Sequence, residues 1–484
     1  MHFQIPYHSY YERYSTKLLA FYHALRDSIV DGVLPLHTKL PSSRELAVLY
    51  NVSRGTINQV YDMLASEGYV VCEVGRGTFI SYNAGSPNQT DMLKRNYSLS
   101  QWGTRINEIS AAHEASVQLP LNAADAGVME VDFHWFAPDS EWFPKAEWNR
   151  CLYATARQIS QQSPLPPPSV QGDIGLREAI ANYLRRARGI AAPAEQIVIF
   201  NGSMQAIALL AQLMINDGDI AVVENPGYNG IRRAVMAAGG TCMPVDVDQQ
   251  GIIPDDWAAK LLFVTPGRQF PTGAVLSLER RQQLLQWAYE REAVIIEDDY
   301  DSEFRHRGKA VEPLKVLDRE ERVVYVGSFS KTLSSSIRIG YAVMPQALVG
   351  PASKAKALYE PQPTGLLEQQ TLASFMNSGE YERHLRRMKR VYSRKFECLH
   401  RLLTGCLSDK FAWVESDAGL HLFGWWLGTE DTYTEFRKRC GSSGIRWSDL
   451  ALPGDGGIRY GAYFHFAHLT EHEMEYAVKL MQSL

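Results

Sequence analysis

No stretch of the 484 residues approaches the roughly 20 uninterrupted apolar positions of a membrane-spanning helix. The opening residues, MHFQIPYHSY, also lack the basic region and apolar run of a secretion signal. A cytoplasmic protein without membrane contact is expected. The six cysteines, Cys72, Cys151, Cys242, Cys398, Cys406 and Cys440, contain no CxxC pair, which argues against a zinc knuckle, another metal site or a disulfide framework. Positive charge is not in excess, with 49 Lys and Arg against 54 Asp and Glu, a net −5. That excludes a globally basic nucleic-acid coat. Over residues 1 to 82 seven cations balance seven acids, so any nucleic-acid contact there rests on where a few side chains stand. A solenoid repeat and a long low-complexity tract are likewise missing.

What is present is a hydrophobic content of 45%, ample for a buried core, in a chain long enough for two or three domains. Leu18, Leu19, Tyr22, Leu25 and Ile29 recur at helical spacing and predict one amphipathic helix over Tyr11 to Asp31. Ser42 or Ser43 caps a second helix with Glu45 in its first turn, and Asn51 breaks it. Ser53 caps a third, with Ile57, Val60, Tyr61 and Leu64 inward and Gly68 closing it. Val70 to Val74 and Thr78 to Tyr82 then alternate about Gly75-Arg76-Gly77 as a hairpin. Leu34 to Ile80 resembles the winged helix-turn-helix of the GntR family of bacterial transcription regulators. The resemblance implies double-stranded DNA at a promoter operator as partner. Arg54 and Thr56 would lie near bases or phosphates behind Ser53, and Lys39, Ser43 and Arg44 along the backbone. Arg76 and Gly77 would approach the minor groove.

Three segments are expected: a DNA-binding domain over 1–82, a linker over 83–127 with weak helical periodicity at Ile106 to Ala115, and a large domain over 128–484. From Val131 onward strands and helices alternate as in an α/β domain with a mostly parallel sheet. The strand Ile197 to Phe200 runs through Asn201-Gly202-Ser203 into a helix, a ready anion site. Tyr228 follows another strand. AVIIEDDYDSEF places Glu297, Asp298, Asp299 and Tyr300 at the carboxyl end of a strand over Ala293 to Ile296, where acids face a ligand crevice. SFSKTLSSSIRIG, Ser328 to Gly340, sets Lys331 among hydroxyls with Arg338 seven residues on. A lysine amine that can be neutral condenses with an aldehyde, and small hydroxyls beside an arginine suit a phosphate.

This series resembles the fold-type I pyridoxal-phosphate-dependent aminotransferases, and together with the head the chain is similar to the MocR/GabR-type regulators. The resemblance implies pyridoxal 5'-phosphate as cofactor and Lys331 as the Schiff-base lysine. Asp298, 33 positions earlier, would pair with the pyridine nitrogen, Tyr300 would reach the phenolic oxygen and Tyr228 would flank the ring. Gly202, Ser203, Met204, Ser328, Ser330 and Arg338 would hold the phosphate. A small amine or amino-acid effector and a head-to-tail homodimer are also implied.

Three positions depart from the pattern. Ser334-Ser335-Ser336 stands where a proline is usual, and Gly267-Arg268-Gln269-Phe270 where a His or Asn is usual. Tyr463 replaces the arginine that clamps a substrate carboxylate three residues before Phe466-Ala467, leaving Arg459 as the candidate for an effector carboxylate. The expectation is a regulator that senses an amine, an amino acid or the cofactor itself, with at most residual transaminase activity. The alternative is a working aminotransferase with an accessory DNA-binding domain.

Overall fold

The computed structural model describes residues 3–83, 98–117, 129–161, 169–308, 311–454 and 457–484. Two compact units result, Met1–Ser98 and Leu99–Leu484.

In the first unit two helices, Tyr7–Arg13 and Lys17–Val30, stand where one was expected. Tyr14 is extended and Thr16 accepts from the Leu19 N–H at 3.3 Å, a cap that the apolar spacing does not reveal. Ser42, rather than Ser43, caps Ser43–Leu49, and Glu45 accepts from the Ser42 N–H at 2.7 Å to complete a capping box. Asn51 turns left-handed at φ 51°, and Ser53 caps Arg54–Ser66 by accepting from the Thr56 N–H at 3.0 Å. Leu46, Ile57, Val60 and Leu64 are sealed against Phe21, Leu25 and Ile29 of Lys17–Val30. Val70–Glu73 pairs antiparallel with Gly77–Ile80, so Gly77 lies in the ladder opposite Glu73. Ser81 and Tyr82 fall outside it and donate to the Tyr69 carbonyl instead.

The second unit opens with Gln101–Val117, a longer helix than the 106 to 115 expected, held by an Arg105–Asp217 ion pair at 2.7 Å. The remainder of the expected linker, 84–97 and 118–127, lies outside the described residues. The main sheet has eight strands in the order Ile197–Phe200, Gly340–Val343, Val323–Ser328, Val294–Asp299, Leu261–Val264, Ile220–Asn225, Thr241–Asp248, Gly251–Ile252. Gly340–Val343 runs antiparallel to both neighbours and Gly251–Ile252 antiparallel to its one; the others are parallel. Runs such as IVIF and LLFV are buried throughout, because helices cover both faces. Beside it, Phe411–Trp413, His421–Trp426, Gly457–His465 and Ser448–Gly454 form an antiparallel sheet in that order. Its core, Tyr392, Phe396, Leu399, Phe464 and Met474, joins it to Glu380–Cys406 and Glu471–Ser483.

One expectation about the acids needs correction. The strand continues to Asp299, and the two-residue pleat sends Glu297 and Asp299 to the face opposite Asp298. Glu297 accepts from the Leu314 and Lys315 N–H groups at 2.8 and 2.9 Å, and Asp299 pairs with Arg188 at 2.5 Å. Among the described residues no helix is long and apolar enough to cross a membrane, and no cluster of His, Cys, Asp or Glu could hold a metal ion.

Candidate functional site

Val323–Ser328 and Val294–Asp299 run parallel, with Val326 beside Asp298, and so deliver Lys331 and Asp298 to one rim. Lys331 Nζ donates to the Phe136 carbonyl at 2.5 Å and sits 3.3 Å from the centre of the Phe136 ring. Burial lowers its pKa to about 8; Asp301 opposes that shift and Arg338 reinforces it. A partly neutral amine follows at physiological pH. Asp298 is buried, its Oδ1 has no hydrogen-bond partner among the described residues, and burial followed by the charges of Asp299 and Glu224 raises it to about 7. A cationic N–H aimed at that oxygen would satisfy it and restore the charge.

The anion end is built from glycine. Gly202 holds φ 97° and ψ 163° as the cap of Ser203–Met214 with no side chain occupying the helix amides. A Cβ there would meet Arg338 Nη2 at 2.6 Å, and one on Gly340 would meet Gly202 C at 2.5 Å and Ser203 N at 2.7 Å. The cradle therefore fits a phosphate between the helix N-terminus and Arg338, whose exposed guanidinium reaches the Asn201 carbonyl at 3.4 Å. Ser328 Oγ accepts from the Ser330 N–H at 3.1 Å, and the buried Ser330 Oγ has no partner among the described residues. Met204 packs beside the Gly230 backbone, next to the Tyr228 ring. In place of the usual proline, Ser334 and Ser336 join hydroxyls at 2.8 Å and build their own turn.

Tyr300 does reach this rim, but its hydroxyl is engaged by Arg268, which donates at 2.8 Å. Arg268 also pairs with Asp301 at 3.1 Å, lies 3.2 Å from His421 Nδ1 and donates to the His421 carbonyl at 3.0 Å. Tyr228, 40% exposed, stands edge to face with Phe270 at 5.8 Å. Tyr463 meets the same Phe270 ring at 5.4 Å. His465 stacks on Phe136 at 4.2 Å. Arg459 is not brought in: it is exposed, lies over the Trp425 ring at 3.9 Å, and stands four residues, about 13 Å, along the strand from Tyr463.

Sequence reasoning missed Phe136, Asp301 and His421. Phe136 belongs to a stretch read only as the opening of the domain, and a lone histidine in a strand carries no signal. Arg268 was visible as a departure in a Pro-Gly loop, without its partners.

On the head, Arg44 and Arg54 are exposed and make no ion pair among the described residues. Lys39 is exposed too, its amine 5.9 Å from the Phe79 ring and its stem against Gly77. Arg76 pairs with Glu73 at 2.7 Å, an exposed contact weak enough to exchange for a phosphate. Ser53 and Thr56 are occupied with each other, hydroxyl to hydroxyl at 2.7 Å, and Ser43 is half-buried in the first helical turn.

Residues 152–478 match the aminotransferase class I and II family and residues 19–80 the gntR family of bacterial regulatory proteins. The chain is 35% identical over 417 residues to the probable rhizopine catabolism regulatory protein MocR of Rhizobium meliloti, covering 83% of this chain and 80% of that one. It is 31% identical to the pyridoxine biosynthesis transcriptional regulator PdxR of Corynebacterium glutamicum, over 76% of this chain and 74% of the relative. Among solved structures, the α-aminoadipate aminotransferase LysN of Thermus thermophilus superposes with a TM-score of 0.67 at 23% identity, over 80% of this chain and 96% of that one. That likeness speaks to fold.

Proposed function

This chain belongs to the MocR-type transcriptional regulators, a gntR-family head joined to a class I and II aminotransferase domain, and from that premise we propose that it senses an amine through pyridoxal 5'-phosphate held by Lys331. The observation that carries this reading is the orphaned, buried Asp298 Oδ1 at the rim where Lys331 emerges. Asp298 would hold the pyridine nitrogen, Tyr300 the phenolic oxygen, and Gly202, Ser203, Met204, Ser328, Ser330 and Arg338 the phosphate, with Tyr228 against the ring. Bound there, the cofactor supplies an aldehyde carbon that condenses with a primary amine.

Lys331 then acts as the group to be displaced. Its amine would be set free by an incoming primary amine, taking up the protons which that amine gives up, with no electrons changing hands. Burial that keeps its amine near pKa 8 makes both the bound and the released forms accessible. The released lysine shifts the balance between arrangements of a head-to-tail homodimer and so the spacing of its two DNA heads. In each head Arg54, with Thr56 at the start of Arg54–Ser66, enters the major groove. Ser43, Arg44, Ser53 and Lys39 follow the backbone, and Arg76 and Gly77 the minor groove. DNA places this work in the cytoplasm.

Purified protein should carry a visible cofactor absorbance that Lys331→Ala removes. An unchanged covalent adduct in that variant would sink the reading. Arg54→Ala should weaken operator binding with the absorbance intact, and light scattering should report a dimer. Rapid multiple turnover with a keto acid would favour an enzyme instead.

A further inference from the structure

The wall that an incoming ligand meets beside Lys331 is aromatic, and its charges are already spoken for. Phe270 is half-buried and stands edge to face with Tyr228 at 5.8 Å, His421 at 5.5 Å and Tyr463 at 5.4 Å. Phe136 lies under Lys331 Nζ and stacks on His465. These rings come from loops at the carboxyl ends of the parallel strands and from the small antiparallel sheet, and together they leave half-buried ring faces rather than a cationic pocket.

Three arginines near this wall or on its strand are committed elsewhere. Arg268 is buried, paired with Asp301 and pinned by Tyr300 and His421. Arg338 points at the Gly202 turn, the phosphate end. Both histidines are buried, and burial drives their pKa values far below the usual range, so they are neutral. Arg459 stands over Trp425, outside the site. A carboxylate on the carbon that bears the amine would be desolvated against these rings, which offer it no charged donor, and that is unfavourable. An apolar or aromatic substituent in the same place would bury its surface against them.

Resting on Lys331 as the cofactor lysine, we propose that the ligand of this site is a primary amine without a carboxylate beside its nitrogen, carrying an aromatic or similarly bulky apolar group. Tyr463 is the specificity-determining residue, because it fills the position from which a guanidinium would otherwise clamp a carboxylate.

The test is a spectral titration of the full-length holoprotein at fixed pH with 2-phenylethylamine and with L-phenylalanine, which differ only by the carboxylate. The amine should change the absorbance at a concentration about a hundredfold lower, the discrimination expected when a charge is buried unpaired. Tyr463→Arg should shrink or reverse that ratio, and Tyr463→Phe, which keeps the ring, should preserve it. Equal or tighter binding of phenylalanine overturns the inference, as it would if a second copy of the chain supplied a cation. A holoprotein whose spectrum responds to neither compound overturns it too, and leaves the cofactor itself as the signal. Loss of the Lys331-dependent absorbance in the starting protein would defeat instead the reading of Lys331 on which this rests.

Discussion

Arg268 donates to the Tyr300 hydroxyl at 2.8 Å while its charge is balanced by Asp301 at 3.1 Å, the ion pair buried and the tyrosine half-buried. The carboxylate accepts one further bond, from the Leu420 N–H at 3.2 Å, so its charge depends on the guanidinium. Arg268→Met should therefore cost about 3–5 kcal/mol, as breaking a buried pair from one side does. Adding Asp301→Asn should recover much of the loss. Denaturant titration of the two variants checks both.

Asp298 makes opposite predictions for the empty and the loaded protein. Its folded pKa, about 7, lies above the unfolded 3.8, so the folded state binds the extra proton between those values and loses that advantage as pH rises through about 7. At pH 8, Asp298→Asn should raise the stability of cofactor-free protein, and near pH 3 it should change little. Cofactor affinity should fall by about 2 kcal/mol, the worth of a hydrogen bond to a charged group. Thermal melts with and without the cofactor decide it.

Gly340→Ala would press its Cβ on the backbone of Gly202 and Ser203. Because backbone cannot swing aside, the edge of the sheet and the anion cradle must separate, at about 1–3 kcal/mol. Reduced stability together with lost cofactor absorbance is the expected pair of outcomes.

Loading with the cofactor should be pH-dependent through Lys331. An ammonium has no lone pair with which to condense, so the rate should rise about tenfold per pH unit below about 8 and level off above it. Stopped-flow absorbance would show this, and Lys331→Arg should not load at all.

In the head, Arg54 and Ser53 separate by mechanism. Arg54→Ala should weaken operator binding and reduce the salt slope by about 1. Ser53→Ala removes a cap and should cost about 1 kcal/mol of head stability while leaving the slope unchanged. Salt-dependent binding and melting of the full chain distinguish them.

Much of the head and the parallel sheet was legible because their signals are local. A cap reaches three residues, as Ser42 to Glu45 and Ser53 to Thr56 do, and fully apolar runs announce buried strands. The helix break at Tyr14 was not, since a threonine cap inside an apolar pattern leaves the period intact.

The chain by itself determined the order of Gly202, Asp298, Lys331 and Arg338, each within three residues of one end of a strand or helix, where position along the chain sets direction. Only the tertiary structure decided what surrounds them. Pleating turned Asp298 toward the site and Glu297 and Asp299 away, and extended geometry carried Arg459 out of reach. Arg268 met His421, 153 residues distant, and Phe136 met His465. Contacts of that range have no period in sequence, because they are set by how two sheets pack, and they are what gives the Lys331 site its aromatic, charge-balanced wall.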